Sequence, residues 1–160
     1  MQELQKSSET LCAPISGTVR NRVGDAYVID FSDEENGDVV SPVGGVVTRI
    51  GEGGNRISIC SHGGNAVSVG IGLARPGRTI TADGCHFYVQ EGESVRAGQR
   101  LMHASLLQIR RLGGTSECVM TLGAHAAIRE TAVSGGTVRA GMTPLLRVED
   151  RGTHSSTFQK

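Results

Sequence analysis

The chain has 160 residues, 16 basic and 16 acidic; this is the length of one domain, with no net field to favour nucleic acid or an anionic membrane surface. Arginine supplies 14 of the basic residues, scattered singly except for Arg110-Arg111. No apolar run reaches the roughly eighteen residues of a membrane span, so no nucleic acid, no membrane insertion and a cytoplasmic location are expected.

Residues 1–10 are polar and read as a flexible tail. The body runs over 11–149, and 150–160, rich in Ser, Thr and Gly, reads as a second tail. Within the body, strands are predicted at 39–40, 45–50, 56–60, 66–73, 85–89, 100–104, 118–122 and 145–148, from their length and β-branched content and the turn residues between them. One short helix is predicted at 105–112: Ser105 can cap it, and Leu106, Leu107, Ile109 and Arg110 carry a helical stripe that stops before Gly113-Gly114. The 23 glycines and five aromatic residues fit many short strands joined by tight turns, with Val, Ile and Leu filling the core.

Two phrases are written twice. Ala13-Pro14-Ile15-Ser16-Gly17-Thr18-Val19 returns as Ser41-Pro42-Val43-Gly44-Gly45-Val46-Val47, and Val95-Arg96-Ala97-Gly98 returns as Val138-Arg139-Ala140-Gly141. Proline and glycine mark tight turns, and the β-branched neighbours suit a half-buried pleated surface. The predicted fold class is therefore all-β: an antiparallel β-sandwich or flattened barrel with internal pseudo-symmetry from a duplicated motif. Cys12, Cys60, Cys85 and Cys118 form no C-x-x-C pair and sit among apolar or strand-like residues, so buried reduced thiols are expected, with no disulfide and no metal role.

The succession of A-P-I-S-G-T-V at 13–19, G-D-A-Y-V-I-D at 24–30, S-P-V-G-G-V-V-T-R-I at 41–50, I-G-L at 71–73, Q-E-G-E-S-V-R-A-G-Q-R-L at 90–101 and S-G-G-T-V-R-A-G at 134–141 resembles the glucose-type enzyme IIA of the bacterial phosphotransferase system. No single phrase is specific; their order, with the lone helix in its place, is. The resemblance implies a β-sandwich phosphocarrier. In that family the carrier HPr phosphorylates a histidine on the sheet face, and the IIA domain passes the group to the IIB domain of a sugar permease. The acceptor opens an H-x-G-x-D phrase, and a second histidine fifteen residues upstream supports it from the neighbouring strand. A neutral imidazole nitrogen is the nucleophile, and the second ring steadies the phosphoryl oxygens.

In this chain that phrase is Gly70-Ile71-Gly72-Leu73-Ala74, and Asn55 stands fifteen residues upstream. The resemblance thus places Gly70, Ala74 and Asn55 where both histidines and the aspartate would be. Glycine has no side chain to phosphorylate, and the lone pair of an amide nitrogen is delocalised into its carbonyl. The family's own mechanism is not available here. The chain also passes from Val19 to Gly24 by four residues, Arg20 to Val23, where family members carry about a dozen more in a loop that rims the partner-binding face.

Other chemistries find little support. His62 lies in a turn, Ser61-His62-Gly63-Gly64, and His86 opens a strand; either could serve as a substitute phosphoacceptor if a base and anion donors lay within reach. His103, His125 and His154 rank below them. Cys60 and His62, at alternate positions, point to one face, and Cys85-His86 could approach from elsewhere, yet no spacing calls for zinc. A zinc peptidase of the lysostaphin type needs an H-x-H pair, and a biotinyl or lipoyl carrier needs a lysine at a hairpin tip; neither is present, the two lysines being Lys6 and Lys160.

The expected protein is accordingly an enzyme IIA-like regulatory or binding module that has lost histidine phosphorylation and needs no cofactor. Its partners would be proteins, either phosphotransferase components such as HPr or IIB, or a transporter or regulator. Contact is expected at a shallow pocket around Asn55, Val69, Gly70 and Ile71. The alternative is a phosphocarrier that uses His62 or His86.

Overall fold

The computed structural model describes residues 7–23, 26–31, 37–51, 56–71, 85–111, 116–123, 128–131 and 136–150. The larger sheet has eight strands in the order β13 (Gly136–Val138), β2 (Gly17–Val23), β3 (Ala26–Asp30), β11 (Glu117–Leu122), β7 (Ala66–Ile71), β6 (Arg56–Ser61), β5 (Gly45–Ile50) and β9 (Ser94–Val95). Two three-stranded sheets accompany it: β1 (Ser8–Cys12), β14 (Pro144–Glu149) and β12 (Ile128–Thr131), then β4 (Asp38–Val40), β10 (Arg100–Ala104) and β8 (Cys85–Phe87). Every pairing among the described strands is antiparallel. One helix, α1 (Leu106–Arg111), is present where the stripe predicted it, and its Ile109 N–H donates to the Ser105 carbonyl at 3.0 Å. No helix among the described residues is long and apolar enough to cross a membrane.

The duplicated phrases form duplicated structure. Cys12 N–H donates to the Pro42 carbonyl at 2.9 Å, and Val40 N–H donates to the Pro14 carbonyl at 2.8 Å, so each copy of the proline turn caps the strand entering the other. Gly98 N–H donates to Ser41 and Gly141 N–H to Ala13, both at 2.8 Å, so each copy of the second phrase is clamped on one copy of the first. Both glycines are left-handed, with φ of 88° and 72°. A Cβ on Gly141 would stand 3.2 Å from the Gly98 Cα, so the two turns meet where only glycine fits. Gly17 pairs with Val138 as Gly45 pairs with Val95. Counted inward from its two edges, the large sheet matches β13 with β9, β2 with β5, β3 with β6 and β11 with β7.

Period-two alternation builds the core. Val67, Val69 and Ile71 of β7, Ile57 and Ile59 of β6, Cys118, Met120 and Leu122 of β11, and Tyr27 and Ile29 of β3 are all buried on the inner face. Leu101 and Met102 of β10, Leu145 and Leu146 of β14 and Ile109 of the helix join them in one cluster. Each such aliphatic side chain contributes about 1.5–3 kcal/mol when fully buried.

Several elements were not predicted. Of the tail expected at 1–10, Ser8–Thr10 are instead part of β1 and pair with Arg147, Val148 and Glu149; residues 1–6 lie outside the described residues. Glu9 anchors this strand: its carboxylate accepts hydrogen bonds from the Ser61 hydroxyl, the Gly63 N–H at 3.1 Å and the Asn65 Nδ2 at 2.9 Å. A polar strand held by side chains from a distant hairpin leaves no hydrophobic period to read. β2, β3, β9, β12 and β13 were not predicted either, and of these β9, β12 and β13 are two to four residues long. The strand at 66–73 runs to Ile71, with 72–73 outside the described residues, and that at 85–89 ends at Phe87. The short link after Val19 is a β2–β3 hairpin closing at Val23 opposite Ala26, with an irregularity between Val19 and Asn21.

Candidate functional site

Gly70 sits inside the large sheet, opposite Arg56 of β6 on one side and Val119 of β11 on the other. It is buried. Alternation puts Ala66, Ser68 and Gly70 on the outer face, and the register adds Arg56, Ser58 and Cys60 from β6 and Val119 and Thr121 from β11. Beside Ser68, two positions along β7 from Gly70, lies an open depression of about 220 Å³. Its rim carries the hydroxyls of Thr48, Ser58, Ser68 and Thr121 and the Cys60 thiol, with Ala66 and Gly123 completing it. These groups can donate and accept hydrogen bonds to a polar surface, and none is an imidazole or carboxylate. Among the described residues the depression brings together hydroxyls and one thiol without an imidazole or carboxylate beside them.

The pocket therefore differs from the one expected. Val69 and Ile71 are 0% exposed; a strand sends neighbours to opposite faces, so these two side chains belong to the core and cannot line it. Asn55 and Ala74 lie outside the described residues. The residues that do line it were missed because Thr, Ser and Cys at alternate positions of three strands converge only once the register is known.

His62 is exposed at the tip of the β6–β7 hairpin, where its N–H donates to the Gly44 carbonyl at 2.9 Å and its ring lies over Gly44. Four residues of strand separate Ala66, at that tip, from Gly70, roughly 13 Å at the usual rise. His86 is on another sheet, directly opposite His103 of β10. Its ring meets Tyr88 edge to face at 4.9 Å, and the Arg100 guanidinium lies 5.1 Å from the Tyr88 centroid. His103 Nδ1 is 2.7 Å from Asp38 Oδ1, and Arg100 reaches the other Asp38 oxygen at 3.8 Å. This grouping was also missed; the His86 to Tyr88 and Arg100 to His103 stretches are near in sequence, but Asp38 is far from both. His125 and His154 lie outside the described residues.

The thiols divide by face. Cys118 is buried and Cys12 half-buried, and burial pushes both thiols up from their ordinary value. Cys60, expected inside, is exposed, because its place opposite Ala66 falls on the outer face. Cys12, Cys60 and Cys118 are free. Among the described residues no three His, Cys, Asp or Glu side chains converge as a metal site.

Comparison with known proteins gives three concordant results. Residues 19–127 match the family model of the phosphoenolpyruvate-dependent sugar phosphotransferase system, EIIA 1. The chain is 28% identical over 157 residues to a glucose-specific EIIA component from Bacillus anthracis, covering 89% of this chain and 91% of that one. It is 31% identical over 129 residues to a glucose-specific EIICBA component from Streptococcus pneumoniae, covering 79% of this chain and 17% of that one. In structure it resembles the glucose permease IIA from Mycoplasma capricolum, with a TM-score of 0.72, 16% identity, and coverage of 91% of this chain and 99% of that one.

Proposed function

From the premise that the chain belongs to the EIIA 1 family of the phosphoenolpyruvate-dependent sugar phosphotransferase system, we propose that it acts in sugar transport as a binding or regulatory IIA-type protein, and does not carry a phosphoryl group at the family's sheet-face position. The observation that carries this reading is Gly70, buried between Arg56 and Val119; the sequence resemblance would put the acceptor ring at this residue. Phosphoryl transfer needs a nucleophile with its lone pair exposed and donors arranged around the incoming oxygens. At Gly70 there is no side chain to receive a phosphoryl group, and the neighbouring depression presents hydroxyls. Such a face can still dock on the flat surface of a partner protein, and the fold shared with a solved IIA protein supports this reading. HPr, a IIB domain, or a transporter or regulator that reads the IIA face are the partners this shape suits, from a cytoplasmic location.

The test is a reconstituted relay of phosphoenolpyruvate, enzyme I, HPr and a IIB-containing permease, with this chain as the sole IIA protein. No sugar phosphate above background is expected, while calorimetry against HPr or IIB gives measurable binding. Sugar phosphate at the rate of a conventional IIA would sink the reading.

A further inference from the structure

We propose that His103 is a second-site phosphoacceptor, whose Nε2 takes a phosphoryl group from a protein phosphohistidine on the face formed by β4, β10 and β8. The proposal goes beyond the reading of Gly70 and does not depend on it. A site built here would mark the protein without delivering the group to a sugar.

An ionised Asp38 carboxylate can only accept, so at 2.7 Å His103 Nδ1 is the donor, and in the neutral ring that arrangement puts the lone pair on Nε2. Among the described residues Nε2 has no hydrogen-bond partner, and the side chain is 44% exposed. This is how a carboxylate holds an imidazole in the nucleophilic tautomer. The same sheet carries donors of the kind phosphoryl oxygens accept from: His86 paired across the strands with His103, Tyr88 against His86, and Arg100 over the Tyr88 ring. Asp38 and Arg100 are the charged groups of the cluster, and His86 and Tyr88 the other titratable ones.

The duplicated half supplies an internal control. The place of His103 in β10, between Asp38 and His86, corresponds to that of Arg147 in β14, between Thr10 and Glu130. One half of the same fold thus puts an arginine, a threonine and a glutamate where the other has two histidines and an aspartate. The fold does not require the histidine pair.

The step balances without a further reactant. The Nε2 lone pair attacks phosphorus, the donor's P–N bond breaks, and its electron pair returns to the donor imidazole. In donor and acceptor alike, the proton on the ring nitrogen not bonded to phosphorus stays where it is. The positive charge that passes to the phosphorylated His103 ring sits against the Asp38 carboxylate.

The experiment incubates the whole protein with phosphoenolpyruvate, enzyme I and HPr, and in parallel with phosphoramidate, a small N–P donor that needs no docking. Intact mass and peptide mapping are read at neutral pH. One acid-labile phosphoryl group on His103 is expected from both donors, absent in His103→Gln and retained in His62→Gln. Asp38→Asn should slow labelling by about tenfold or more while its urea unfolding midpoint stays close to the parent's, a split that a merely structural role for Asp38 would not produce. No label from either donor, or label that persists in His103→Gln, overturns the proposal. Label on His103 from phosphoramidate alone overturns a protein phosphohistidine as the donor.

Discussion

Replacing Gly45 with alanine tests whether the duplicated glycine is there for backbone approach. A Cβ at Gly45 would overlap the Cys60 carbonyl oxygen and stand 2.8 Å from the Ser61 Cα. Both are backbone, so no rotamer change relieves the contact, and β5 must move away from β6. Forcing a group into packed structure costs about 1–3 kcal/mol. Gly45 lies opposite Ser61 on one side and Val95 on the other, and weakening one or two ladder bonds adds roughly 0.5–1.5 kcal/mol each. The expected loss is about 3 kcal/mol, which lowers Tm by roughly 6–12 °C in a domain of this size. Gly51→Ala is the control: Gly51 has φ of 82° with nothing within 4 Å of a Cβ, so only the left-handed backbone term of about 1–2 kcal/mol applies. Gly17→Ala, whose Cβ would overlap the Asp30 carbonyl, should match Gly45→Ala within about 1 kcal/mol. Urea unfolding at constant m is the assay. A loss at Gly45 no greater than at Gly51 would refute the close-approach argument, and a benign Gly17→Ala would refute the equivalence of the two copies.

Two further outcomes follow from buried groups. Glu9→Ala leaves the Ser61 hydroxyl, the Gly63 N–H and one Asn65 donor without their acceptor, which should cost about 2–4 kcal/mol and release the amides of β1 first in hydrogen exchange; unchanged protection of β1 would show that the anchor is unimportant. The Cys118 thiol is pushed up by burial, so above about pH 8.5 it ionises in the unfolded chain before it does in the native one. Stability is complete below that pH and falls above it by up to about 1.4 kcal/mol per pH unit. Cys118→Ala should flatten that slope by one proton in urea titrations at successive pH values, and an unchanged slope would exclude Cys118 as its source.

The proline and glycine phrases were legible because turn chemistry is local: Pro14 and Pro42, Gly98 and Gly141 each do their work within a few residues. Alternation made β5, β6, β10 and β11 legible for the same reason, and the helix at Leu106–Arg111 declared itself by a capping serine and a stripe. What was not legible depends on register. β1 carries Glu9 where a strand would show an apolar residue, and its reason is Asn65 and Ser61, more than fifty residues away. Val69 and Ile71 could be listed beside Gly70 from the sequence, but the pleat turns both of them to the opposite face, into the core. Cys60 resembles a core residue until its partner Ala66 places it outside.

The same register argument explains why chemistry can leave one part of this fold and stand in another. The interlocked turns involve Cys12, Pro14, Val40, Pro42, Gly98 and Gly141, and each of their bonds is made by backbone. None depends on what the outer face of β7 carries, so Gly70 can stand there without loosening the duplicated frame. The small sheets are bound by the same rule: Leu101 and Met102, like Leu145 and Leu146, must stay apolar because they enter the core, whereas His103 and Arg147, at matching outward places, are constrained only by their neighbours across the strands. Pseudo-symmetry fixes the backbone twice and leaves two outer faces free to differ. A histidine with a carboxylate on one side and a second histidine on the other could arise on one of them at little cost in stability. Asp38→Asn and His103→Gln should therefore unfold at urea concentrations close to that of the parent, and a loss above about 2 kcal/mol in either would mean that the cluster holds β4 to β10 and is structural.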